Sequence, residues 1–400
     1  MTTAQSSVSV APVQKLHFFQ HIPALDGLRG IAILLVLIHN AGHFGAHPSG
    51  AFWVTALIAA IGWVGVQLFF VLSGFLITAK LLETQDAPNY FSVFFGRRIL
   101  RIFPLYYAAL IVGLLIVPAI TQQPAGGEAS TSHQVWLWTF LLNWVHPLGL
   151  PTYGFPHFWS LAVEEQFYLI WPFIVYKATQ TTLARTCYAL IAAALVIRTV
   201  LALGGATEDM IYEFTFCRMD ALAMGALLAV WLQSPDRTRL LQEKAAARLI
   251  PAAFAIVLLG AVFSRLYTRS LLFTQTLGYT LLAVFFALIL LACLIGTSKL
   301  NRWCRQFLST SLLRSLGKYS FAMYVFHFPI QLRLESFLPL FEQRFAAWSG
   351  IAFLVVVGLA SYVAAFFSYH LYEKHFLRLK SWFTPRARLE PSQSELPRHA

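Results

Sequence analysis

The sequence predicts an all-α, polytopic membrane helix bundle. Hydrophobic residues make up 58% of the 400 residues and charged residues only 12%, whereas soluble domains average about 25% charged residues. Apolar stretches also recur along the chain, and most of them reach roughly the 20 residues that cross the hydrocarbon core of a bilayer. A soluble fold could not keep this much apolar surface from water, so the soluble class is excluded.

About ten stretches are apolar and long enough to be transmembrane helices. They cover residues 29–44, 56–79, 102–120, 158–178, 185–203, 214–232, 249–266, 272–296, 316–334 and 348–372. An eleventh apolar piece, residues 133–147, is shorter and is flanked by Pro, Gly and His. We predict that this piece is a re-entrant or interfacial segment and does not cross.

Lys and Arg set the predicted orientation. The formal charge is +12, but the 29 basic residues are spread between the apolar stretches, which argues against a nucleic-acid partner and is typical of the positive-inside rule. With the N-terminus inside and 133–147 not crossing, 22 basic residues lie on inner segments and 4 on outer ones. If 133–147 crossed, the bias would largely disappear. Both termini are therefore predicted to be cytoplasmic.

The chain divides into three predicted parts. Residues 1–24 form a polar cytoplasmic segment without a cleavage site, 25–375 form the membrane domain, and 376–400 form a basic cytoplasmic tail that we expect to be disordered. The four cysteines are scattered and show no spacing of metal ligands or of a disulfide framework. We therefore expect no metal site.

Ionisable residues within apolar stretches are costly and mark candidate sites. His39 lies about 15 Å along the first span from Arg29, and Glu164 and Glu165 lie about 9–10 Å into a span that enters from outside. At similar depths, a carboxylate could fix the tautomer of the imidazole and make it a general base. Alternatively, His39 is a packing histidine and the glutamates are its structural partners.

Other charged residues also have two interpretations. Arg98 and Arg101 share a helix face beside Arg97, which suits phosphate binding, but basic helix ends also serve as topology signals. Arg218 and Asp220 point to different faces and are expected to pair with other helices, although they could line an acceptor site. His327, two residues before Pro329, is either a packing histidine or a substrate-binding one. These last three are our candidate substrate-binding residues.

Six segments resemble the membrane-bound acyltransferase 3 family of bacterial integral-membrane O-acyltransferases. They occur in the family's order between about residues 25 and 375 and include the sequences Leu-Asp-Gly-Leu-Arg-Gly, Arg-Arg-Ile-Leu-Arg and Phe-Trp-Ser-Leu-Ala-Val-Glu-Glu. The segments begin at Leu25, Gly65, Arg97, Phe158, Arg218 and Leu316. The resemblance implies transfer of an acyl group, usually acetyl, from cytoplasmic acyl-CoA to a hydroxyl at the outer face of the bacterial inner membrane.

The resemblance also assigns roles to individual residues. It implies that His39 is the catalytic histidine, that Arg29 is the essential arginine of the first span, and that the Arg-x-x-Arg pair binds acyl-CoA. Family members commonly place ten residues between that arginine and histidine, but this chain has nine. On a regular helix the two residues would then be about 80° apart. Either the helix is irregular, or they face different ways and His43 is the fallback.

The mechanism we predict begins with acyl-CoA, whose phosphates would be held by Arg98, Arg101 and Arg97. His39 would deprotonate an acceptor hydroxyl held by Glu164 or Glu165, or would carry the acyl group covalently, and Arg29 would contact the donor or the oxyanion. Some family members carry a fused outer hydrolase-like domain for which we see no room here, so we expect direct transfer or a separate partner. No permanently bound cofactor is expected.

A transporter that uses buried His, Glu and Arg for ion coupling is the competing class. Transporters often contain two related halves with matching broken helices, and we find no such repeat in this sequence. The acceptor is expected to be a glycan or a lipid-linked saccharide, but its identity, the acyl chain length and the oligomeric state do not follow from the sequence.

Overall fold

The structure, a computed structural model, describes residues 22–42, 52–121, 134–150, 154–244, 248–345 and 348–386. These residues form helices and turns with no strand among them, which confirms the all-α prediction. The α-helices are α1 Pro23–Ala41, α2 Phe52–Ile61, α3 Val64–Thr84, α4 Tyr90–Leu110, α5 Val117–Thr121, α6 Val135–Trp138, α7 Trp159–Lys177, α8 Gln180–Leu203, α9 Glu208–Glu213, α10 Thr215–Leu232, α11 Pro235–Lys244, α12 Leu249–Phe263, α13 Tyr279–Ile295, α14 Lys299–Leu308, α15 Ser311–Glu335, α16 Leu338–Phe345, α17 Ser349–Ser368 and α18 Lys374–Arg378.

Seven helical stretches in the described part of the chain are long and apolar enough to cross a membrane. They are Pro23–Ala41, Val64–Thr84, Tyr90–Thr121, Gln180–Leu203, Glu208–Leu232, Thr274–Ile295 and Ser349–Trp382. These correspond to seven of the predicted spans, and the protein is a multi-pass membrane protein. The other three predicted spans fall on α7, α12 and α15, which are either shorter or interrupted by charged residues. The total of ten stays a prediction.

Local sequence signals account for several helix starts. The Thr179, Thr207 and Ser298 hydroxyls each accept a hydrogen bond from the backbone N–H three residues later, at the beginning of α8, α9 and α14. Such a cap satisfies one of the N–H groups that lack a partner within the helix. The long apolar helices have a different cause. In lipid, only hydrogen bonds within the helix can satisfy its backbone N–H and C=O groups.

The predicted boundaries are wrong at two spans. The stretch 56–79 includes a break at Gly62–Trp63 between α2 and α3, and α3 continues to Thr84. The stretch 102–120 begins too late, because α4 starts at Tyr90. The basic residues of the Arg-x-x-Arg motif therefore lie within α4, where their side chains face a cavity instead of lipid. A prediction from hydropathy alone places the end of a span at charged residues, although the helix itself can continue through them.

The region 134–150 contains only short helical runs, α6 and the 3₁₀ turn Leu142–Trp144. Runs of four and three residues are too short to cross as helices, as the sequence predicted for 133–147. This region packs against α4, since the Tyr106 hydroxyl donates to the Leu137 carbonyl at 2.7 Å and the Tyr107 hydroxyl donates to that of Trp138 at 3.2 Å.

The predicted disordered tail is wrong for its first part. After α17, the chain continues through a π-helical stretch, Tyr369–Glu373, then α18 and the 3₁₀ turn Leu379–Trp382. Hydrogen bonds to α4 and to the residue before it fix residues 383–386. Basic composition suggested a solvated end, but these contacts between distant parts of the chain order it. The remaining residues of the predicted tail lie outside the described part, as do nearly all of residues 1–24.

Two helix pairs at the centre of the bundle approach closely at glycines. In the α3–α10 pair, a Cβ placed on Gly74 would lie 1.9 Å from the Leu222 carbonyl oxygen, and one on Gly225 would lie 2.0 Å from the Val71 carbonyl oxygen. In membrane bundles, small residues permit this backbone approach and the packing that stabilises it. Glycines also allow the backbones of α1 and α15 to approach closely.

Replacing Gly225 with Ala should therefore destabilise the bundle. The added methyl group would collide with the backbone of α3, and overpacking of this kind costs about 1–3 kcal/mol. We expect the melting temperature of the detergent-solubilised protein, followed by tryptophan fluorescence, to fall by several degrees. Gly358→Ala in α17 is the matched control, because no atom lies within 4 Å of its Cβ position. Equal melting temperatures for the two variants would contradict the packing argument.

Candidate active site

A cavity of about 290 Å³ lies where α3 ends and α4 begins, which we call the basic end of the bundle. Residues from α1, α3, α4, α7, α15 and the C-terminal segment line this basic cavity. Its charged lining residues are Arg29, Lys80, Arg97, Arg98, Arg101, Lys380 and Glu164. Lys80 is ion-paired with Glu83 at 3.2 Å, and the remaining excess of cations around the cavity favours an anion that carries several charges.

The Arg-x-x-Arg pair faces this cavity as its spacing predicted. Arg98 and Arg101 lie one helical turn apart on α4, and both line the basic cavity together with Arg29 of α1. The Arg98 guanidinium carbon lies 4.7 Å from the ring centroid of Tyr168, which positions it by a cation–π contact. Arg97 also lines the cavity, but its Nε donates to the Phe383 carbonyl at 2.6 Å.

Glu164 is the carboxylate of the basic cavity. Its Oε2 accepts a hydrogen bond from the Tyr168 hydroxyl at 2.9 Å, and that hydroxyl also bonds to Ser73 Oγ. The i, i+4 spacing of Glu164 and Tyr168 on α7 brings the two side chains together. The carboxylate thus fixes the ring that supports Arg98. It also offsets part of the positive charge around it.

The predicted pairing of Glu164 or Glu165 with His39 is wrong. Glu164 lines the basic cavity, whereas His39 lines a different one. Glu165 lines neither of these, and its buried Oε1 has no hydrogen-bond partner among the described residues. Depth along a helix, on which the prediction rested, does not determine the direction in which a side chain points.

His39 lines a second cavity of about 180 Å³ towards the opposite end of the bundle, which we call the histidine cavity. Its Nδ1 lies 2.8 Å from the Ala59 carbonyl oxygen, so Nδ1 carries the proton and donates. In the neutral ring, the lone pair is then on Nε2, which is the nitrogen that can accept a proton. His43, the predicted fallback, lies outside the described residues.

The other lining residues of the histidine cavity are aromatic, acidic and basic. They include Asn40, Trp63, His157, Trp159, Asp209, Tyr212, Glu213 and Arg269. The guanidinium carbon of Arg269 lies 4.0 Å from the Tyr212 centroid, and Arg269 also forms an ion pair with Asp209 at 2.8 Å. Glu213 accepts from His146 Nδ1 at 2.8 Å. Aromatic rings beside carboxylates and an amide can contact both the faces and the hydroxyls of a polar ligand.

The two cavities share a wall. Val66 and Tyr324 line both of them. The Tyr324 hydroxyl donates to the His157 carbonyl and accepts from Ser160 Oγ at 2.7 Å. A hydrogen-bonded tyrosine and a valine therefore separate the cationic side from the His39 side.

The structure shows how Arg29 and His39 are placed with only nine residues between them. Helix α1 is an uninterrupted α-helix from Pro23 to Ala41, so the local irregularity is excluded. The ten-residue separation places the two side chains about 80° apart. Accordingly, Arg29 lines the basic cavity and His39 lines the histidine cavity.

Arg218 lies inside the bundle and lines neither of the two cavities. It is completely buried, and its Nη2 donates to Gln67 Oε1. Its guanidinium carbon lies 4.7 Å and 4.9 Å from the ring centroids of Tyr279 and Tyr212. Because Tyr212 also lines the histidine cavity, Arg218 supports a wall of that cavity and does not itself face it.

Asp220 and His327 also have internal partners. Asp220 forms a buried ion pair with Arg198 at 2.9 Å and accepts from Thr280 Oγ1 at 2.8 Å. His327 is completely buried and donates from Nδ1 to the Tyr324 carbonyl at 2.7 Å. The expectation that Arg218 and Asp220 pair with other helices is confirmed. Direct substrate contact by these residues has no support in the geometry.

Sequence reasoning missed several residues of the two cavities. Tyr168, Ser160 and Tyr324 stand inside motifs that carry the family resemblance, so a closer inspection of those motifs could have identified them. His157 stands directly before one of these motifs. Lys380 and Arg269 have no comparable local signal, because only the fold brings them to the site.

The structure is a membrane helix bundle in which a polycationic cavity lies next to the histidine cavity. This arrangement indicates a candidate protein that transfers a chemical group within the membrane. Comparison with protein families matches residues 22–370 to the acyltransferase 3 family, described as an acyltransferase domain. The chain belongs to this family.

Three relatives from bacteria are similar over most of this chain. YrhL of Bacillus subtilis (strain 168) is 29% identical over 378 residues, which cover 90% of this chain and 55% of the relative. The peptidoglycan O-acetyltransferase OatA of Listeria monocytogenes is 27% identical over 333 residues, with 78% and 49% covered. The O-acetyltransferase OatA of Staphylococcus aureus (strain NCTC 8325 / PS 47) is 24% identical over 339 residues, with 81% and 53% covered.

The chain thus spans about half the length of the curated relatives that it matches. No solved structure matches it.

The His146–Glu213 pair at the edge of the histidine cavity should make stability depend on pH. The hydrogen bond to Glu213 raises the pKa of His146. The stabilisation by this pair is therefore fully present below the pKa of histidine in the unfolded chain, about 6.5. It is lost as the pH rises through the higher pKa that His146 has in the folded protein. We expect His146→Gln to lower the melting temperature at pH 5.5 by more than at pH 8.5.

His375→Gln is the matched control, because no carboxylate pairs with His375 among the described residues. It shows how far loss of a histidine without a carboxylate partner changes the melting temperature at each of the two pH values. Because His146 is partly exposed, its effect should correspond to about 1 kcal/mol or less. A loss for His146→Gln that does not depend on pH would contradict the ion-pair argument.

Proposed function

We propose that this protein is a membrane O-acyltransferase that moves an acyl group, acetyl in the simplest case, from acyl-CoA to a carbohydrate hydroxyl. The observation that carries this proposal is the pair of cavities that share Val66 and Tyr324, cationic on one side and containing His39 on the other. Membership of the acyltransferase family supports the same reaction class. It leaves the transporter alternative without support.

The donor would occupy the basic cavity. Acyl-CoA carries its phosphates at the adenosine end and its thioester at the far end of the pantetheine arm. Arg98 and Arg101 would bind the phosphates, and the arm would extend towards Tyr324. The position of Arg29 in this cavity favours contact with the donor. With the predicted orientation, the basic end faces the cytoplasm, where acyl-CoA is made.

His39 would act as the general base. Its Nε2 would take the proton of the acceptor hydroxyl as the hydroxyl oxygen attacks the thioester carbonyl carbon. The C–S bond then breaks, the CoA sulfur leaves as a thiolate, and the imidazolium returns the proton to that sulfur. In the covalent route, Nε2 instead attacks the thioester carbonyl carbon, and the C–S bond breaks to release the CoA thiolate. The acceptor hydroxyl then attacks the acyl carbon, the acyl C–Nε2 bond breaks to restore the imidazole, and the hydroxyl proton passes to the thiolate. Glu164 would organise the donor cavity rather than hold the acceptor.

The acceptor would enter the histidine cavity from the outer face of the bacterial inner membrane. The rings of Trp63, Trp159 and Tyr212 and the carboxylates near them offer the contacts that a sugar ring needs, stacking and hydrogen bonding. The Listeria relative is named as a peptidoglycan O-acetyltransferase. A peptidoglycan glycan chain or its lipid-linked precursor is therefore the acceptor class to test first.

Replacing His39 with Ala should lower acyl transfer by at least about 10²-fold, the range of a lost general base. Membrane vesicles with labelled acetyl-CoA and peptidoglycan fragments provide the assay. His375→Ala is the control for loss of a histidine, and the amount of inserted protein is measured for each variant. Equal transfer by wild type and His39→Ala would overturn the role of His39. Acyl-histidine trapped by acid quench would identify the covalent route.

Arg98→Ala should raise KM for acetyl-CoA by about tenfold or more, with a smaller change in kcat, because it removes a charge-assisted hydrogen bond to phosphate. Arg237→Ala in α11 removes an exposed positive charge away from the basic cavity and should leave KM unchanged. An unchanged KM for Arg98→Ala would show that the donor binds elsewhere.

A further inference from the structure

The C-terminal segment 379–386, which we call the strap, reaches the mouth of the basic cavity. It consists of the 3₁₀ turn Leu379–Trp382 and the four residues that follow. Nearly 300 residues of chain separate it from the start of α4, against which it lies. The strap is not part of the six segments that carry the family resemblance.

Four contacts fasten the strap to α4 and to the residue before it. Arg97 Nε donates to the Phe383 carbonyl at 2.6 Å, Asn89 Nδ2 donates to the Thr384 carbonyl at 2.8 Å, and the Arg386 backbone N–H donates to Asn89 Oδ1 at 3.0 Å. The ring of Phe383 packs where a Cβ on Gly96 would stand, at 2.2 Å from its Cδ1. Glycine at residue 96 thus provides the space for this ring.

These contacts place Lys380 in the lining of the basic cavity beside Arg97, Arg98 and Arg101. The same part of the lining contains Thr84, the last residue of α3, and Val93 in the first turn of α4. Lys380 therefore stands at the mouth. The shared wall with the histidine cavity is at the other side of the basic cavity.

The charge around Lys380 is unfavourable without a ligand. Four guanidinium groups surround the cavity, and no carboxylate in the described part of the chain pairs with Lys380. Like charges held together in a partly enclosed site repel, and such a site concentrates anions. The strap holds Lys380 there through hydrogen bonds made by other residues. A phosphate-bearing ligand would convert this repulsion into attraction.

We infer that Lys380 is a donor-binding residue and that the strap is the element that positions it for the phosphates of the acyl donor. The inference rests on the proposed function, in which the thioester lies towards Tyr324 and the phosphate-bearing end stays at the mouth. Lys380 binds phosphate there, and Asn89 acts through the strap as a positioning residue.

The test measures binding of CoA to the purified full-length protein by titration calorimetry, together with KM for acetyl-CoA. Lys380→Met should weaken CoA binding about tenfold and raise KM by a similar factor, with kcat little changed. Asn89→Ala should have a similar effect, because it removes two strap contacts; Asn89 makes no side-chain cap on α4. The double variant should be no weaker than Lys380→Met alone, since both changes act through one group.

Two controls separate phosphate binding from general effects. Lys374→Met removes a positive charge from α18, six residues away and outside the lining of the basic cavity, and should leave binding unchanged. S-acetylpantetheine lacks the adenosine phosphates, so its turnover should be the same in wild type and in Lys380→Met. Melting temperatures show whether each variant is folded.

The outcomes distinguish this inference from the proposed function. If the wild type does not bind CoA, the proposed function and this inference both fail. If the wild type binds CoA and Arg98→Ala weakens it, but Lys380→Met and Asn89→Ala bind like wild type, this inference alone is overturned. Loss of binding in Lys380→Met with wild-type binding in Asn89→Ala would overturn the positioning role of the strap.

Discussion

Placing guanidinium groups inside a membrane bundle is the constraint on which this structure depends. Lipid offers no water to solvate them, so each buried arginine needs partners from the protein. Arg198 and Asp220 meet this need as a completely buried pair, to which Thr280 contributes hydrogen bonds. Arg218 instead lies against the rings of Tyr279 and Tyr212 and donates to Gln67. In both cases the charge holds helices in place.

The arginines of the basic cavity have different surroundings from Arg198 and Arg218. Arg29, Arg98 and Arg101 line one cavity with three other cations, and Glu164 is the one carboxylate among the described residues of that lining. Asp26 and Glu373 line a neighbouring cavity together with Arg29 and Arg101. A cavity that keeps this excess of positive charge is not stabilised by it, since repulsion grows with every added cation. The excess of cations over carboxylates in the lining of the basic cavity therefore favours an anionic ligand, independently of any relative.

The sequence predicted the class of fold better than it predicted how the helices bring individual side chains together. The length of the apolar stretches and the shared face of Arg98 and Arg101 follow from residues that are close in sequence. The structure agrees with both the apolar helices and that face. The pairing of Glu164 with His39 failed because rise along a helix gives depth but not direction. Lys380 could not be found locally, since contacts across nearly 300 residues bring it to the cavity.

In the proposed function, the wall between the cavities would keep donor and acceptor apart until they react. Val66 and Tyr324 are side chains, and the hydroxyl of Tyr324 is held by Ser160 and the His157 carbonyl. Side-chain rotations need far less rearrangement than movements of packed helices, and the close glycine contacts of α3 with α10 oppose such movements. A thioester that displaces the Tyr324 ring would reach the His39 side while the helices stay in place. The proposed transfer thus needs only side chains of the wall to move, while the closely packed centre of the bundle stays in place.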